Sequence, residues 1–409
     1  MPNGNLETVL KDHQIQLSDR LKLSMARDCA LGMNWLHKAT PPILHRDLKP
    51  PNLLVDKDYT VKVCDFGLSC IRETDVIKDK DKVPGTPLYM SPEVLTKGNI
   101  NEKCDVYSFG IVLWQIMTRQ DPFPEFQDFN EFRSAICRKN VRPPIPSSVA
   151  QSVKSMMERS WNKSPSTRPS FEELIPMLEK AIMEVTIEES HSRKFWEDHG
   201  WGEEALWKHF SEALSTSLGL GKEAPDMIEW RVLKHMLTVV RDKNKVEPEH
   251  VVLQEKFGSV MDRFYPLKES KDYNVMTHLL ETINTGWFHG DMERKGAEER
   301  LKGRETGTFL VRTSNTIRFN FTISKVDRDG RITHQRIEFH PKKGFSIIVR
   351  SKESNQKSVI HSQEDTLPEF VARLKQPLVL LIPCAGSLME QFSKDTGLAS
   401  LYLQGTDYY

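Results

Sequence analysis

Residues 45–52 read HRDLKPPN, which places Arg46, Asp47, Lys49 and Asn52 in one short stretch, and the reading of this octapeptide decides the fold of the chain's first 186 residues. Upstream, residues 18–39 are predicted to form a helix. Ser18 can accept from the unpaired N–H groups of the first turn, and Asp19 suits the positive end of the dipole. Leu21, Met25, Cys29, Met33 and Leu36 then fall on one apolar stripe, and Pro41-Pro42 stops the run. Downstream, LLV at 53–55, a turn at Lys57-Asp58, and Val61 and Val63 alternating with Lys62 predict short strands. CDFG (64–67) and GTPLYMSPE (85–93) follow. From Asp105 to Thr118 apolar residues surround the axis, the pattern of a helix buried on all sides. Two further helical stretches lie near 148–161 and 170–186.

The whole chain has 409 residues, enough for two or three domains. Its 57 basic residues balance its 57 acidic ones, so net charge alone argues for no nucleic-acid or membrane partner. The balance hides a local difference. Residues 287–386 hold 18 Lys+Arg against 12 Asp+Glu, leaving 39 against 45 elsewhere, which marks the late segment as the place to seek an anionic ligand. The six cysteines, at 29, 64, 70, 104, 137 and 384, include no C-x-x-C pair, and reduced thiols in a cytoplasmic protein are expected. The apolar run FGIVLWQIM (109–117) is too short to cross a bilayer.

Residues 187–285 read as a helical spacer, from LWKHFSEAL, EWRVLKHMLTVV and VLQEKFGSVMDRFY. DKNKVEPEHVVL (242–253) fails as a calcium loop, because Glu247 stands where glycine is needed and Leu253 where the bidentate glutamate belongs. From 287 the period changes. TFLVR (308–312) and RFNFTISKV (318–326) alternate as strands, Asp329-Gly330 is a tight-turn pair, and RITHQRIEF and GFSIIV supply further strands. MERKGAEERL before them and TLPEFVARL after them are helical, so an antiparallel sheet with a helix on each side is expected over 287–386, with a tail at 387–409.

HRDLKPPN, CDFG and GTPLYMSPE together resemble the catalytic lobe of protein kinases over residues 1–186. That resemblance implies ATP and Mg²⁺ as cofactors, protein substrates, and a loose transition state served by positioning and charge neutralisation. Asp47 would orient the attacking hydroxyl and accept its proton, and Lys49 would neutralise the moving phosphoryl group. Asn52 and Asp65 would hold magnesium, Leu54 would form the floor under the adenine, and Cys64 would lie behind it. Glu93 would pair with Arg168, and Asp105 would accept from the catalytic-loop backbone. Arg46 would meet a phosphate on the activation segment, where Thr74 and Thr86 are candidate switch sites. LKPPN and DVYSFGIVLWQIMT resemble the serine/threonine type within the tyrosine-kinase-like branch, with dual specificity open. No G-x-G-x-x-G followed by V-A-I-K occurs in the 409 residues. The expectation is a kinase lobe truncated at its N-terminus, so that these residues alone have negligible activity.

WFHG (287–290) and GTFLVRTS (307–314) resemble an SH2 domain. Arg312 ends the FLVR strand, and a planar guanidinium fixes geometry as well as charge when it meets a phosphate. The resemblance implies a phosphotyrosine pocket completed by Arg294, Ser314, Thr316, His334 and Arg336, with a tyrosine-phosphorylated protein as partner. A kinase lobe followed by an SH2 domain is the order of the amoeboid Shk family. The fold class implied is multidomain α+β: a mostly helical kinase C-lobe, a helical spacer and an SH2 fold. Two functions stay open, a signalling kinase directed by phosphotyrosine, or a non-catalytic phosphotyrosine-binding adaptor or pseudokinase. Tyr402, Tyr408 and Tyr409 are candidate self-docking sites.

Overall fold

The computed structural model describes residues 1–71, 87–220, 227–241, 249–264, 274–313, 320–340, 343–350, 357–363 and 366–388. The chain divides into two compact units, Met1–Val185 and Thr186–Tyr409. Thr74, Thr86, Ser314, Thr316 and the three tail tyrosines lie outside the described residues.

The first unit is mostly helical: α1 (Leu6–Lys11), α2 (Asp19–Lys38), α3 (Pro92–Leu95), α4 (Lys103–Thr118), α5 (Phe129–Cys137), α6 (Gln151–Ser160) and α7 (Phe171–Thr186). The expected Ser18 cap forms, its side chain accepting from the Leu21 N–H at 3.2 Å. On α2, Met25, Cys29, Met33 and Leu36 are buried as the stripe predicts, against a core that includes Phe109 and Leu113 of α4 and Leu174 and Leu178 of α7. Every residue of α4 from Cys104 to Ile116 is buried. Gly110 permits this, since a Cβ there would lie 3.0 Å from the Ser160 Cβ and 3.2 Å from the Trp161 nitrogen. Arg119, left-handed at the C-cap of α4, donates to the carbonyls of Leu10 (3.0 Å) and Ile15 (2.8 Å), tying down the segment after α1. Two antiparallel ribbons carry the loop of interest. Strand β1 (Ile43–Leu44) pairs with β4 (Cys70–Ile71), and β2 (Leu53–Val55) pairs with β3 (Val61–Val63).

The second unit begins with α8 (Ser190–His199), β5 (Glu204–Leu206), α9 (Trp207–Leu218), α10 (Ile228–Leu237), β6 (Thr238–Arg241), β7 (Glu249–Leu253), α11 (Gln254–Met261) and α12 (Val275–Ile283). The expectation of a purely helical spacer is therefore corrected, for β5, β7 and β6 form a three-stranded antiparallel sheet. The helices predicted over EWRVLKHMLTVV and VLQEKFGSVMDRFY are each half right. Helix gives way to strand at Thr238-Val239-Val240 and strand to helix after Val251-Val252, because branched Cβ atoms pack better on a pleated surface than against a helical turn. Val251 and Val252 are buried beside an aromatic cluster in which Trp196 stacks on Phe257 at 5.1 Å.

The last part contains α13 (Arg294–Leu301), β8 (Thr308–Thr313), β9 (Phe321–Val326), β10 (Ile332–His340), β11 (Gly344–Arg350), β12 (Lys357–Ser362), α14 (Leu367–Leu378) and β13 (Ile382–Pro383). Among the described residues the sheet runs β12-β11-β10-β9-β8-β13, antiparallel except for the β13–β8 pair. Helices cover both faces. Ala297 and Leu301 of α13 pack with Leu310 and Val326, and Phe370 of α14 stacks on Phe345 at 5.4 Å. Thr366 and Glu369 cap α14 reciprocally.

Candidate functional sites

The loop between β1 and β2 is fixed from below by a buried carboxylate. Asp105, in the first turn of α4, accepts from the backbone N–H of His45 (2.9 Å) and Arg46 (2.8 Å) and meets the His37 Nε2 at 2.8 Å. Burial pushes its pKa up, but the His37 side chain and the two backbone amides outweigh that, and the net direction is down. The buried His45 ring links two segments: its Nε2 lies 3.0 Å from the Cys64 carbonyl and its Nδ1 accepts from the Asp47 N–H at 3.3 Å. Arg46, left-handed at φ 63°, donates from Nε to the Leu68 carbonyl at 2.8 Å. The two imidazoles escaped the sequence reading. His37 in the last turn of α2 and His45 beside Arg46 were visible, but only the fold brings them to Asp105 and Cys64.

Three expected residues meet above this base. Lys49 Nζ lies 2.8 Å from the Asp47 carboxylate, and Asn52 Nδ2 donates to both the Asp47 carbonyl and its Oδ2 at 2.9 Å. With its amide nitrogen committed to Asp47, Asn52 has its side-chain Oδ1 left to offer a cation. The Asn52 carbonyl accepts from the Cys64 N–H (3.0 Å) and faces the Cys64 Sγ (3.3 Å), so Asp65 follows at once from a residue anchored on Asn52. Asp65 is exposed and left-handed, φ 64°, and accepts from the Gly67 N–H. Two oxygen donors, one amide and one carboxylate, fit a hard divalent cation. Burial, then the neighbouring Asp65 charge, raises the Cys64 pKa. Leu54 sits half-buried on β2, paired with Lys62.

Glu93 and Arg168 form a two-pronged pair at 2.6 and 2.9 Å. Arg168 is fully buried, donates also to the carbonyls of Asn162 and Lys103 at 2.8 Å, and lies over the Tyr107 ring at 5.2 Å. Such a guanidinium is satisfied on every side.

The second constellation lies on one face of the β8–β9–β10 sheet. Register sets Arg312 beside Thr322 and Thr322 beside Arg336, while Leu310, Ser324 and His334 form the next row. Directly paired residues share a face, so the predicted Arg312, His334 and Arg336 project to the side covered by α13, which carries Arg294. Arg312 is only 8% exposed; its Nη1 donates to the Met292 carbonyl at 3.1 Å, and its Nε is buried without a hydrogen-bond partner among the described residues. Burial, then the Arg294 charge, lowers its pKa, against a smaller opposite pull from Glu298. His334 Nδ1 is 2.8 Å from the Ser324 hydroxyl, and its Nε2 is 3.2 Å from Glu298 Oε1. Arg294 is largely exposed and donates to the same Glu298 oxygen at 2.8 Å. Arg336 is exposed at the rim. Glu298 was missed, although its i+4 spacing from Arg294 was a readable signal.

Comparison with known proteins agrees with this geometry. Residues 1–178 match the family of protein tyrosine and serine/threonine kinases, and residues 287–365 match the SH2 domain. The Dictyostelium discoideum dual specificity protein kinase shkC is 42% identical over 346 residues, covering 82% of this chain and 68% of its own. The dual specificity protein kinase shkA of the same organism is 40% identical over 404 residues, 94% of this chain and 74% of its own. The serine/threonine-protein kinase CTR1 of Arabidopsis thaliana is 47% identical over 167 residues, 41% of this chain and 20% of its own.

Proposed function

The chain belongs to the Shk family of protein kinases that carry an SH2 domain, and from that premise we propose that it transfers the ATP γ-phosphate to protein serine and threonine, with tyrosine as a second acceptor, at places marked by phosphotyrosine. Residues 1–186 serve as the catalytic lobe, 187–285 as a spacer, 287–386 as the phosphotyrosine-binding module and 387–409 as a tail. The relatives named dual specificity kinases support the wider acceptor range. Lys49 in LKPPN supports the aliphatic hydroxyls as the main ones.

The observation that carries the reading is the Asp47–Lys49–Asn52 knot, held on the buried Asp105. Asp47 orients the acceptor hydroxyl and takes its proton, while Lys49 balances charge on the group in transit. Asn52 and Asp65 would hold magnesium, which would supply charge neutralisation for the nucleotide phosphates. A protein that used this lobe only as an adaptor surface would have no need of this set. Arg312 binds the phosphate of a tyrosine-phosphorylated partner, which raises the local concentration of substrates around the lobe. Among the described residues no helix is long and apolar enough to cross a membrane. Recruitment from the cytoplasm by phosphotyrosine accounts for any membrane association.

The 409 residues contain no glycine-rich phosphate cover with its strand lysine, so the test supplies one. A fusion of the nucleotide-binding lobe of an active protein kinase to this chain should carry out magnesium-dependent phosphorylation of a mixed protein substrate, and Asp47→Asn should abolish it. Activity that survives Asp47→Asn would sink the catalytic assignment.

A further inference from the structure

We propose that Glu298 is a built-in competitor of the phosphate, a carboxylate that occupies the donors of the Arg312 pocket and limits its affinity. The inference rests on the phosphotyrosine reading of that pocket and adds a residue the reading did not include. One oxygen, Glu298 Oε1, takes both the Arg294 Nε at 2.8 Å and the His334 Nε2 at 3.2 Å. The His334 ring is held on its other side by the Ser324 hydroxyl at 2.8 Å. A neutral ring with Nδ1 accepting from Ser324 has one N–H to offer, and it is spent on Glu298. Arg294 likewise turns its Nε toward this carboxylate rather than toward Arg312. The groups that face Glu298 are Arg294 on its own helix, His334 on β10, and Arg312 on β8 at longer range. With His334 neutral, the guanidinium charges of Arg294 and Arg312 against one carboxylate leave the floor of the cradle a single net positive charge, with Arg336 at its rim. An incoming phosphate ester carries close to two negative charges at neutral pH. It must displace Glu298 from two donors and then bind with that carboxylate still nearby, and like charges at short range disfavour one another.

The test uses the full chain and phenyl phosphate as the probe, titrated by NMR. Glu298→Gln removes the charge and keeps the shape, and should bind phenyl phosphate roughly threefold to fivefold more tightly, the scale of an exposed ion pair. Glu299→Gln makes the same charge change on the next residue of α13, which is exposed, and should leave affinity unchanged. Unchanged or weaker binding by Glu298→Gln would overturn the proposal, weaker binding because the carboxylate would then be positioning Arg294 and His334. Equal tightening by both variants would overturn it too, since the effect would be one of overall charge. Failure of the underlying pocket reading looks different: Arg312→Ala would then bind the probe as well as the unaltered chain.

Discussion

Two buried arginines, one in each unit, have opposite surroundings. Arg168 in the kinase lobe is wholly buried, doubly bonded to Glu93, and donates to three carbonyls besides. Arg312 in the SH2 module is nearly as buried, yet its Nε lacks a partner among the described residues and no carboxylate grips it directly. The contrast separates a charge satisfied by the fold from one with a donor to spare. A buried cation whose donors are all used holds a fold together; one with a donor left over costs free energy that an anion could recover, though Arg142, whose Nη2 is likewise buried without a partner among the described residues, shows that a spare donor does not by itself mark a ligand site. The loop between β1 and β2 follows the first pattern below, at Asp105, and above it Asp47 is paired with Lys49 and Asn52.

This contrast can be broken most forcefully at Arg168. Replacing it with alanine strands Glu93 and should cost the lobe about 3–5 kcal/mol. Amide hydrogen exchange should accelerate across α4 and α7 and stay unchanged in α13 and β8. Acid sharpens the comparison next. Burial pushes the His289 imidazole in the SH2 module down to about 4; the Cys384 carbonyl opposes this and the Arg300 charge adds to it. Its folded pKa lies below the unfolded value near 6.5, so the unfolded chain takes up a proton first. Stability present above pH 6.5 should therefore be lost as pH falls toward 4, by up to about 3 kcal/mol. The Asp105 pKa is also lowered, but from the carboxylate range, so the lobe's anchor should hold until more acid conditions. Exchange measured between pH 7 and 4 should show the module loosening first; the reverse order would refute the contrast. Finally, Arg312→Ala should weaken phosphotyrosyl-peptide binding at least about a hundredfold with little change in melting temperature. A large loss of stability would make Arg312 another Arg168.

Much of both sites was legible because local pattern and motif coincide in them. The α2 stripe, the all-round apolar α4 and the alternating β8 and β9 strands each announce themselves within one element, and the motif residues sit at their ends. What escaped was non-local. Strand β13 pairs with β8 across most of the module, at Ile382–Thr308 and Pro383–Phe309, and nothing in a two-residue strand marks it. The spacer sheet was hidden because β6 and β7 adjoin helices whose apolar spacing continues into them. Glu298 was not singled out, since one of its two partners, His334, belongs to another element. His37 and His45 were equally mute, since imidazole partners are chosen by the fold and not by spacing.

The parallel strand at the end of the SH2 module has a mechanical consequence. The Cys384 N–H donates to the Phe309 carbonyl at 2.8 Å, the Leu381 N–H to Gly307 at 2.9 Å, and the Leu388 N–H to Phe288 at 2.7 Å. Tension applied beyond Leu388 would load these bonds before reaching α14. The load would arrive on β8, the strand that carries Arg312, so pulling on the chain after Leu388 would reach that guanidinium without touching anything bound to it.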